Sequence, residues 1–174
     1  NSAMELVIIR PGDVYGPGSR PWVILPIEAI NKGQFMLPAK GEGFFRPIFI
    51  DDLICGIALA VSTKEAAGEI FNLSCEGYMT TAEFFSHHYQ WMNKRGPLKV
   101  STGLAMFAAS AATKLAQMTG GVNEASTATV AQLCTKSWFS IAKAERLLGW
   151  KPEVTFEDGI QRSKQWAQAQ GLIK

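Results

Sequence analysis

Two pairs of adjacent residues stand out as side chains that could do chemistry. His87 and His88 suggest a metal site, because imidazole is a common metal ligand. Consecutive helical residues point about 100° apart, however, so the two rings cannot hold one ion together. Asp51 and Asp52 suggest acid catalysis, but carboxylates at the start of a helix are stabilised by its dipole, and we interpret them as helix-capping groups. We therefore expect no metal site and no catalytic residue in this chain.

The cysteines indicate the cellular compartment rather than a site. They are odd in number and far apart, which fits neither a disulfide framework nor paired metal ligands: Cys55, Cys75 and Cys134. We expect a reduced, cytoplasmic protein. No apolar run reaches the roughly 20 residues that a membrane helix needs, so we expect no membrane span. The residues Asn1–Met4 resemble an expression scar followed by a start methionine and are left out of the fold prediction.

The composition predicts one domain whose surface is poor in charge. The 174 residues are 47% hydrophobic and only 18% charged, against about 25% charged in an average globular domain. The net charge of +2 comes without a Lys/Arg cluster, so nucleic acid is not an expected partner. Either the fold is unusually well buried, or another polypeptide covers part of its apolar surface.

The first predicted strand favours a missing neighbour. Glu5–Arg10 is an unbroken apolar run, which is typical of a parallel strand buried on both faces. It ends in a cluster of turn residues between Pro11 and Gly18. Because such a strand needs neighbours and covering helices, we expect residues 5–20 and 47–75 to contribute strands to a larger parent sheet.

The remaining elements alternate between strands and helices. A helix over Pro21–Asn31 should be kinked or delayed by Pro26. Thr80 and Glu83 form a capping box that starts a helix, and residues 80–174 are predicted to be mostly helical. The other predicted elements are strands at Phe35–Pro38, Arg46–Ile50 and Glu69–Ser74, and helices starting after Asp51, at Leu104 (ending at Gly120–Gly121), after Ser140 (ending at Gly149) and at Thr155.

The predicted helix from Leu104 to Met118 carries an apolar stripe, which includes Phe107 and Leu115. The stripe lacks the basic polar face of a helix that lies on a membrane. We therefore expect it to pack against a protein surface.

Four segments, taken in order, resemble the C-terminal half of the extended short-chain dehydrogenases/reductases of the NAD-dependent epimerase/dehydratase type. Each alone is a weak turn or cap signal, but their order and spacing together are specific and span nearly the whole chain. The 3β-hydroxysteroid dehydrogenase branch is slightly more similar, mainly because Trp138-Phe139-Ser140 leads into Lys143-Ala144. The segments are Ile9–Gly18, Arg46–Leu53, Gly68–Ser74 and Ala144–Pro152.

The resemblance implies an α/β fold: the C-terminal part of a doubly wound Rossmann-type fold with a small, mostly helical substrate-binding domain. It also implies a parent enzyme that uses NAD or NADP to act on a hydroxyl or carbonyl carbon of a nucleotide sugar or a sterol-like alcohol. The family's Gly-rich turn and its Tyr-x-x-x-Lys pair have no match in this sequence. We therefore expect the N-terminal dinucleotide-binding half to be absent, and this chain alone to be inactive and to bind no NAD. The alternative is a non-catalytic ligand-binding or regulatory module of the same fold.

The resemblance also assigns candidate site residues. Pro11, Gly12 and Val14 match positions whose backbone contacts the carboxamide of the nicotinamide; the alternative is an ordinary turn after a strand. Asp13 stands where sugar-nucleotide epimerases often carry an Asn near the substrate phosphates. A carboxylate repels phosphate, so Asp13 counts against a nucleotide-sugar substrate.

Arg46 is the principal candidate for substrate binding. It matches an Arg that pairs with the diphosphate in the sugar-nucleotide branch, a role suited to the planar guanidinium group. The alternative is a surface ion pair with Asp51, Asp52 or Glu42. Weaker candidates of the same kind are Arg20 and Arg95. The expected partners are the missing N-terminal half, a small-molecule substrate and, for the isolated chain, a second copy.

Overall fold

The computed structural model describes residues 5–118 and 126–174. The predicted scar at Asn1–Met4 and the predicted helix end at Gly120–Gly121 lie outside these residues. Composition alone predicts one domain, whereas the contacts divide the chain into two compact units. Unit 1 consists of residues 1–25, 46–78 and 138–174, and unit 2 of residues 26–45 and 79–137. Each unit is assembled from separated stretches of chain, which composition cannot reveal.

The described residues of unit 1 form four short strands in two parallel pairs. Strand β1 (Ile8–Pro11) pairs with β6 (Ile70–Leu73), with Ile9 opposite Phe71. Strand β2 (Asp13–Tyr15) pairs with β5 (Pro47–Phe49), with Val14 opposite Ile48. The chain therefore changes partner at Gly12, between β1 and β2.

The α-helices in the described part of unit 1 are α2 (Ile50–Ser62), α6 (Ala142–Leu148) and α7 (Phe156–Ala169). Gly149 ends α6 in the left-handed conformation at φ 62°, as predicted from its position after the apolar run. The core of this unit is formed by buried apolar side chains of the strands, of α2, of α6 and of the segment that follows α6: Ile48, Leu53, Phe71, Leu73, Leu148 and Trp150.

Unit 2 is mostly helical with two short strand pairs. Its helices are α1 (Leu25–Asn31), α3 (Thr81–Trp91), α4 (Thr102–Met118) and α5 (Thr127–Cys134), of which α1 begins one residue before the unit. Strand β3 (Met36–Leu37) pairs in parallel with β8 (Leu98–Lys99), and β4 (Phe44–Phe45) pairs antiparallel with β7 (Met79–Thr80). The predicted effect of Pro26 is visible locally, because a π-helical turn over Arg20–Ile24 precedes α1.

The apolar stripe of α4 faces outward. Phe107 is 74% exposed and Met118 is 85% exposed, while Ala105 and Ala109 on another side of the helix are buried with Val130. A stripe of large apolar side chains is thus left without cover in the described part of the chain. Its packing against a protein surface stays a prediction.

Two local predictions differ from the structure. Strand β1 is parallel, as predicted, but it is not buried on both faces: Ile8 is 40% exposed. Asp51 and Asp52 do not cap α2, because the helix already begins at Ile50 and Phe49 is its N-cap residue. Their carboxylates instead lie in its first turn, where Asp51 pairs with Arg162 at 2.6 Å.

The predicted capping box of α3 is confirmed. The hydroxyl of Thr80 accepts a hydrogen bond from the backbone N–H of Glu83 at 3.1 Å, and the Glu83 carboxylate accepts one from the backbone N–H of Thr80 at 2.7 Å. These bonds favour the charged carboxylate and lower the pKa of Glu83.

Thr80→Ala is expected to lower the free energy of unfolding by about 1 kcal/mol, because an orphan N–H at the helix start loses its acceptor. The contribution of Glu83 should be full at neutral pH and decrease as the pH falls through the lowered pKa of Glu83. Urea unfolding at several pH values measures both effects. Gln90→Ala, at an exposed position of the same helix, is the control; an equal loss there would contradict a role for the cap.

None of the described helices is long and apolar enough to cross a membrane. Within residues 5–118 and 126–174, no group of three or more His, Cys, Asp and Glu side chains is arranged to hold a metal ion.

Candidate functional site

The candidate site lies in unit 1, where β1 ends and β2 begins. In open α/β sheets, ligands bind beyond the carboxyl ends of parallel strands. Pro11 is the last residue of β1, and Gly12 and Asp13 follow it directly. Arg46 directly precedes β5, and Ser74 directly follows β6. The parallel pairing therefore brings together residues that three separate segments of the sequence supply.

Asp13 and Arg46 form a buried ion pair. Asp13 is 6% exposed and Arg46 is 7% exposed. One carboxylate oxygen of Asp13, Oδ2, accepts hydrogen bonds from Nη2 of Arg46 at 3.2 Å, from its Nε at 3.3 Å and from its backbone N–H at 2.9 Å. The backbone N–H of Asp13 donates in turn to the carbonyl of Arg46 at 2.8 Å. Two of the predicted substrate-binding residues thus bind each other.

The alternative prediction for Arg46, a surface ion pair, is wrong. The side chain is buried, and the pair it forms joins it to Asp13 instead of lying at the surface. Phe139 also covers the guanidinium group, whose carbon lies 5.3 Å from the centre of the ring. No local pattern could have indicated Phe139, because it enters the site from a distant part of the chain.

Gly12 is required by the packing of the site itself. Its N–H donates to the carbonyl of Leu73 at 2.8 Å. A Cβ at this position would lie 2.5 Å from the carbonyl oxygen of Arg46 and would also clash with the Ser74 hydroxyl. The Ser74 hydroxyl donates to that same Arg46 carbonyl at 3.3 Å. The close approach at Gly12 is therefore to protein atoms, and its predicted backbone contact with a nicotinamide stays a prediction.

Gly12→Ala is expected to lower the free energy of unfolding by about 1–3 kcal/mol, because the strands on both sides must move to admit a methyl group. Gly103→Ala is the matched control. Position 103 lies in α4 with no atom within 4 Å of an added Cβ, and alanine is the better helix former. Denaturant unfolding of both variants checks this, and equal stabilities would contradict the crowded packing around Gly12.

The remaining predicted residues lie nearer the solvent. Pro11 is exposed and Val14 is half-buried, both in unit 1. Arg20 is exposed at the start of the π-helical turn. Arg95 is exposed in unit 2, in the segment between α3 and β8. The structure therefore brings Pro11, Gly12, Asp13, Val14 and Arg46 together in unit 1.

A pocket of about 170 Å³ opens beside β2 and β5. Its walls are mostly aromatic and aliphatic, and they include Tyr15, Phe49, Phe156 and Cys75. Burial raises the pKa of the Tyr15 phenol, and the nearby Asp52 carboxylate raises it further. Burial also raises the pKa of the Cys75 thiol. Burial in this pocket therefore favours the neutral phenol and the neutral thiol.

Asp52 closes one side of this pocket. Its carboxylate accepts hydrogen bonds from the backbone N–H groups of Glu153 at 3.0 Å and of Val154 at 3.2 Å. Its own carbonyl accepts a bond from the Trp150 indole at 3.0 Å. Asp52 therefore fixes the segment that leads into α7, a role that sequence analysis missed because both contacts are distant along the chain.

Phe139 also lines a second pocket in unit 1, which has a volume of about 180 Å³. Its lining also includes Trp138, Ser140 and two carboxyl side chains, Glu76 and Glu145. Both pockets are smaller than the roughly 300–1,000 Å³ of typical small-molecule sites. Each could thus hold only part of a substrate.

No family model matches the chain. Among curated proteins it is 27% identical over 175 residues to an uncharacterized protein of Sinorhizobium fredii, with 98% of this chain and 49% of that protein covered. It is 25% identical over 168 residues to the mouse sterol-4-alpha-carboxylate 3-dehydrogenase (decarboxylating), with 90% of this chain and 46% of that enzyme covered. The chain thus spans about half the length of the curated relatives it matches.

Solved structures show the same fold. An epimerase of Methanothermobacter thermautotrophicus aligns with a TM-score of 0.70 at 20% identity, over 97% of this chain and 44% of that one. A UDP-glucuronic acid 4-epimerase of Bacillus cereus, solved with UDP-glucuronic acid and NAD, aligns with a TM-score of 0.63 at 20% identity, over 94% of this chain and 45% of that one. This chain has the Rossmann-type fold of the epimerase/dehydratase proteins and, as its four motifs predict, resembles the C-terminal half of an extended short-chain dehydrogenase/reductase.

Proposed function

We propose that this chain is the substrate-binding, C-terminal portion of an NAD(P)-dependent oxidoreductase, epimerase or dehydratase. The observation that carries the proposal is the position of Pro11–Val14 where the parallel strand β1 ends and β2 begins, within a fold shared with such enzymes. The parent would act on a hydroxyl or carbonyl carbon. This chain would supply one wall of the pocket, opposite the nicotinamide.

The candidate residues Pro11–Val14 could contact a nicotinamide ring, but few of their backbone N–H groups can donate to its carboxamide. Pro11 has no N–H group, and the N–H groups of Gly12 and Asp13 already donate to Leu73 and Arg46. At these three residues, a carboxamide could therefore contact only carbonyl oxygen or the surface of Pro11. When bound in the parent, the cofactor would supply hydride transfer. The residues of this chain would orient the ring and exclude water from it.

The proposal is tested by the coding sequence that precedes this chain and by the activity of the protein encoded there. A Gly-rich turn and a Tyr-x-x-x-Lys pair are expected upstream, together with reduction of NAD⁺ or NADP⁺ by an alcohol, measured by absorbance of the reduced cofactor. Absence of both motifs would overturn the proposal. Upstream glycines without the Tyr and Lys would favour the alternative, a non-catalytic ligand-binding module.

The isolated chain is expected not to bind NAD, because the parent would hold the pyrophosphate on a glycine-rich turn at a helix N-terminus. Isothermal titration of this chain with NAD⁺ and with NADP⁺ should show no binding heat beyond dilution. Tight binding would place cofactor recognition in this chain and would contradict the division of roles.

We also infer that the missing partner of unit 1 is the N-terminal half of the same parent. Apolar side chains are exposed on β1 and on the outer face of α2, where Ile54 is 57% and Val61 is 81% exposed. Such faces are normally covered in a parallel α/β sheet. Alone, the chain should therefore self-associate, which sedimentation at increasing concentration measures. A monodisperse monomer at high concentration would argue against this partner surface.

A further inference from the structure

Arg46 is already neutralised where it lies. Two nitrogens of its guanidinium group bond to Asp13 Oδ2, at 3.2 and 3.3 Å, and Phe139 covers the group. The side chain is 9% exposed. An arginine that binds a phosphate needs its fork of donors directed at that ligand. Here part of the fork is directed at a carboxylate of the protein.

Displacing this pair in order to bind a diphosphate would be unfavourable. Asp13 is 6% exposed, so the ion pair with Arg46 would be lost inside the protein while the charge of Asp13 stayed buried. If Arg46 stayed between the two anions, the carboxylate would repel the phosphate. Both outcomes disfavour an anionic ligand at this position.

The two pockets of unit 1 have the same electrostatic character. The first is lined by the carboxyl residues Asp52 and Glu153 and the second by Glu76 and Glu145. Among the residues that the structure describes, no lysine or arginine lines either pocket. The rest of their lining is largely aromatic and aliphatic. These walls suit an uncharged ligand with an apolar body.

We propose that the Asp13–Arg46 pair is a specificity determinant that excludes diphosphate-bearing substrates, so that the site takes an uncharged, largely apolar alcohol or carbonyl compound. This inference rests on the proposed function, because it names the substrate class of that same site. Asp13 acts by holding Arg46 away from any phosphate group.

The experiment compares binding of inorganic pyrophosphate and of uridine diphosphate to this chain and its variants, by isothermal titration. The wild-type chain is expected to bind neither at millimolar concentrations. Asp13→Asn keeps an acceptor for Arg46 but removes the negative charge, and it should bind both ligands about tenfold more tightly or better. The double variant Asp13→Asn, Arg46→Gln should lose this gain.

Asp51→Asn is the matched control, because it removes one negative charge from an exposed position of the same unit. It separates the effect of net charge from the release of Arg46. A gain for Asp51→Asn equal to that of Asp13→Asn would overturn the proposal, as would no gain for a folded Asp13→Asn variant. Diphosphate binding by the wild-type chain would also overturn the proposal. If Asp13→Asn does not fold, the titration of the wild-type chain is the measurement that tests the proposal.

These outcomes are independent of the upstream motifs. Diphosphate binding by wild type would change the substrate class and leave an oxidoreductase parent standing. Absence of an upstream Tyr-x-x-x-Lys pair would remove the enzyme and leave the binding result in place.

Discussion

Asp13→Ala is expected to lower the free energy of unfolding by about 3–5 kcal/mol, because it removes the carboxylate that pairs with the buried guanidinium of Arg46. Oδ2 of Asp13 accepts three hydrogen bonds from Arg46, and all three are lost in this variant. Equilibrium unfolding in urea, followed by circular dichroism, measures the change. A loss below about 1 kcal/mol would mean that water reaches Arg46.

A double variant separates the cost of an orphaned charge from the value of the pair. Asp13→Leu with Arg46→Met removes both charges and keeps apolar volume, so it should recover most of the stability that Asp13→Ala loses. Glu42→Ala is the exposed comparison, because Glu42 pairs with Lys136 at the surface of unit 2. It should change stability far less than Asp13→Ala. Equal losses in both would contradict the buried character of the Asp13–Arg46 pair.

Trp150→Ala is expected to lower the free energy of unfolding by about 3–5 kcal/mol, because it truncates the largest fully buried side chain of the described residues and leaves a cavity. Trp150 is 2% exposed, packs in the core of unit 1 and donates a hydrogen bond from Nε1 to the Asp52 carbonyl. Urea unfolding measures the loss. Asp52 also fixes the segment before α7. Trp150→Ala, which removes the hydrogen bond to Asp52, should therefore loosen the aromatic pocket as well.

Trp138→Ala is the control for Trp150, since Trp138 is 56% exposed. It should leave stability nearly unchanged. Trp150→Phe should lie between wild type and Trp150→Ala, because it keeps most of the apolar volume but loses the indole donor. If both tryptophan-to-alanine changes had the same effect, Trp150 would not be a core residue.

Features governed by nearby residues could be predicted well from the sequence. The capping box at Thr80 and Glu83 is confirmed, since the two groups that complete it are three residues apart. The left-handed end of α6 at Gly149 is confirmed for the same reason. The resemblance of four ordered segments likewise led to the fold that the solved structures share.

Predictions that depended on distant neighbours were less successful. Asp51 and Asp52 have the residue types of helix caps, yet the partners of Asp52 are the backbone N–H groups of residues 153 and 154. Arg46 was assigned either a substrate or a surface partner, and it pairs instead with a residue 33 positions away in the chain. A carboxylate or a guanidinium binds whatever the folded chain brings within about 3 Å, and local spacing does not contain that information.

By itself, the sequence determined the class of this protein: an α/β chain that resembles the C-terminal half of an extended short-chain dehydrogenase/reductase. It also identified Pro11–Val14 and Arg46 as candidate cofactor-binding and substrate-binding residues. Only the tertiary structure decided that Asp13 and Arg46 neutralise each other and that Phe139 covers them. The physical reason is that parallel strand pairing joins segments from distant parts of the chain, and charge neutralisation depends on distance in space.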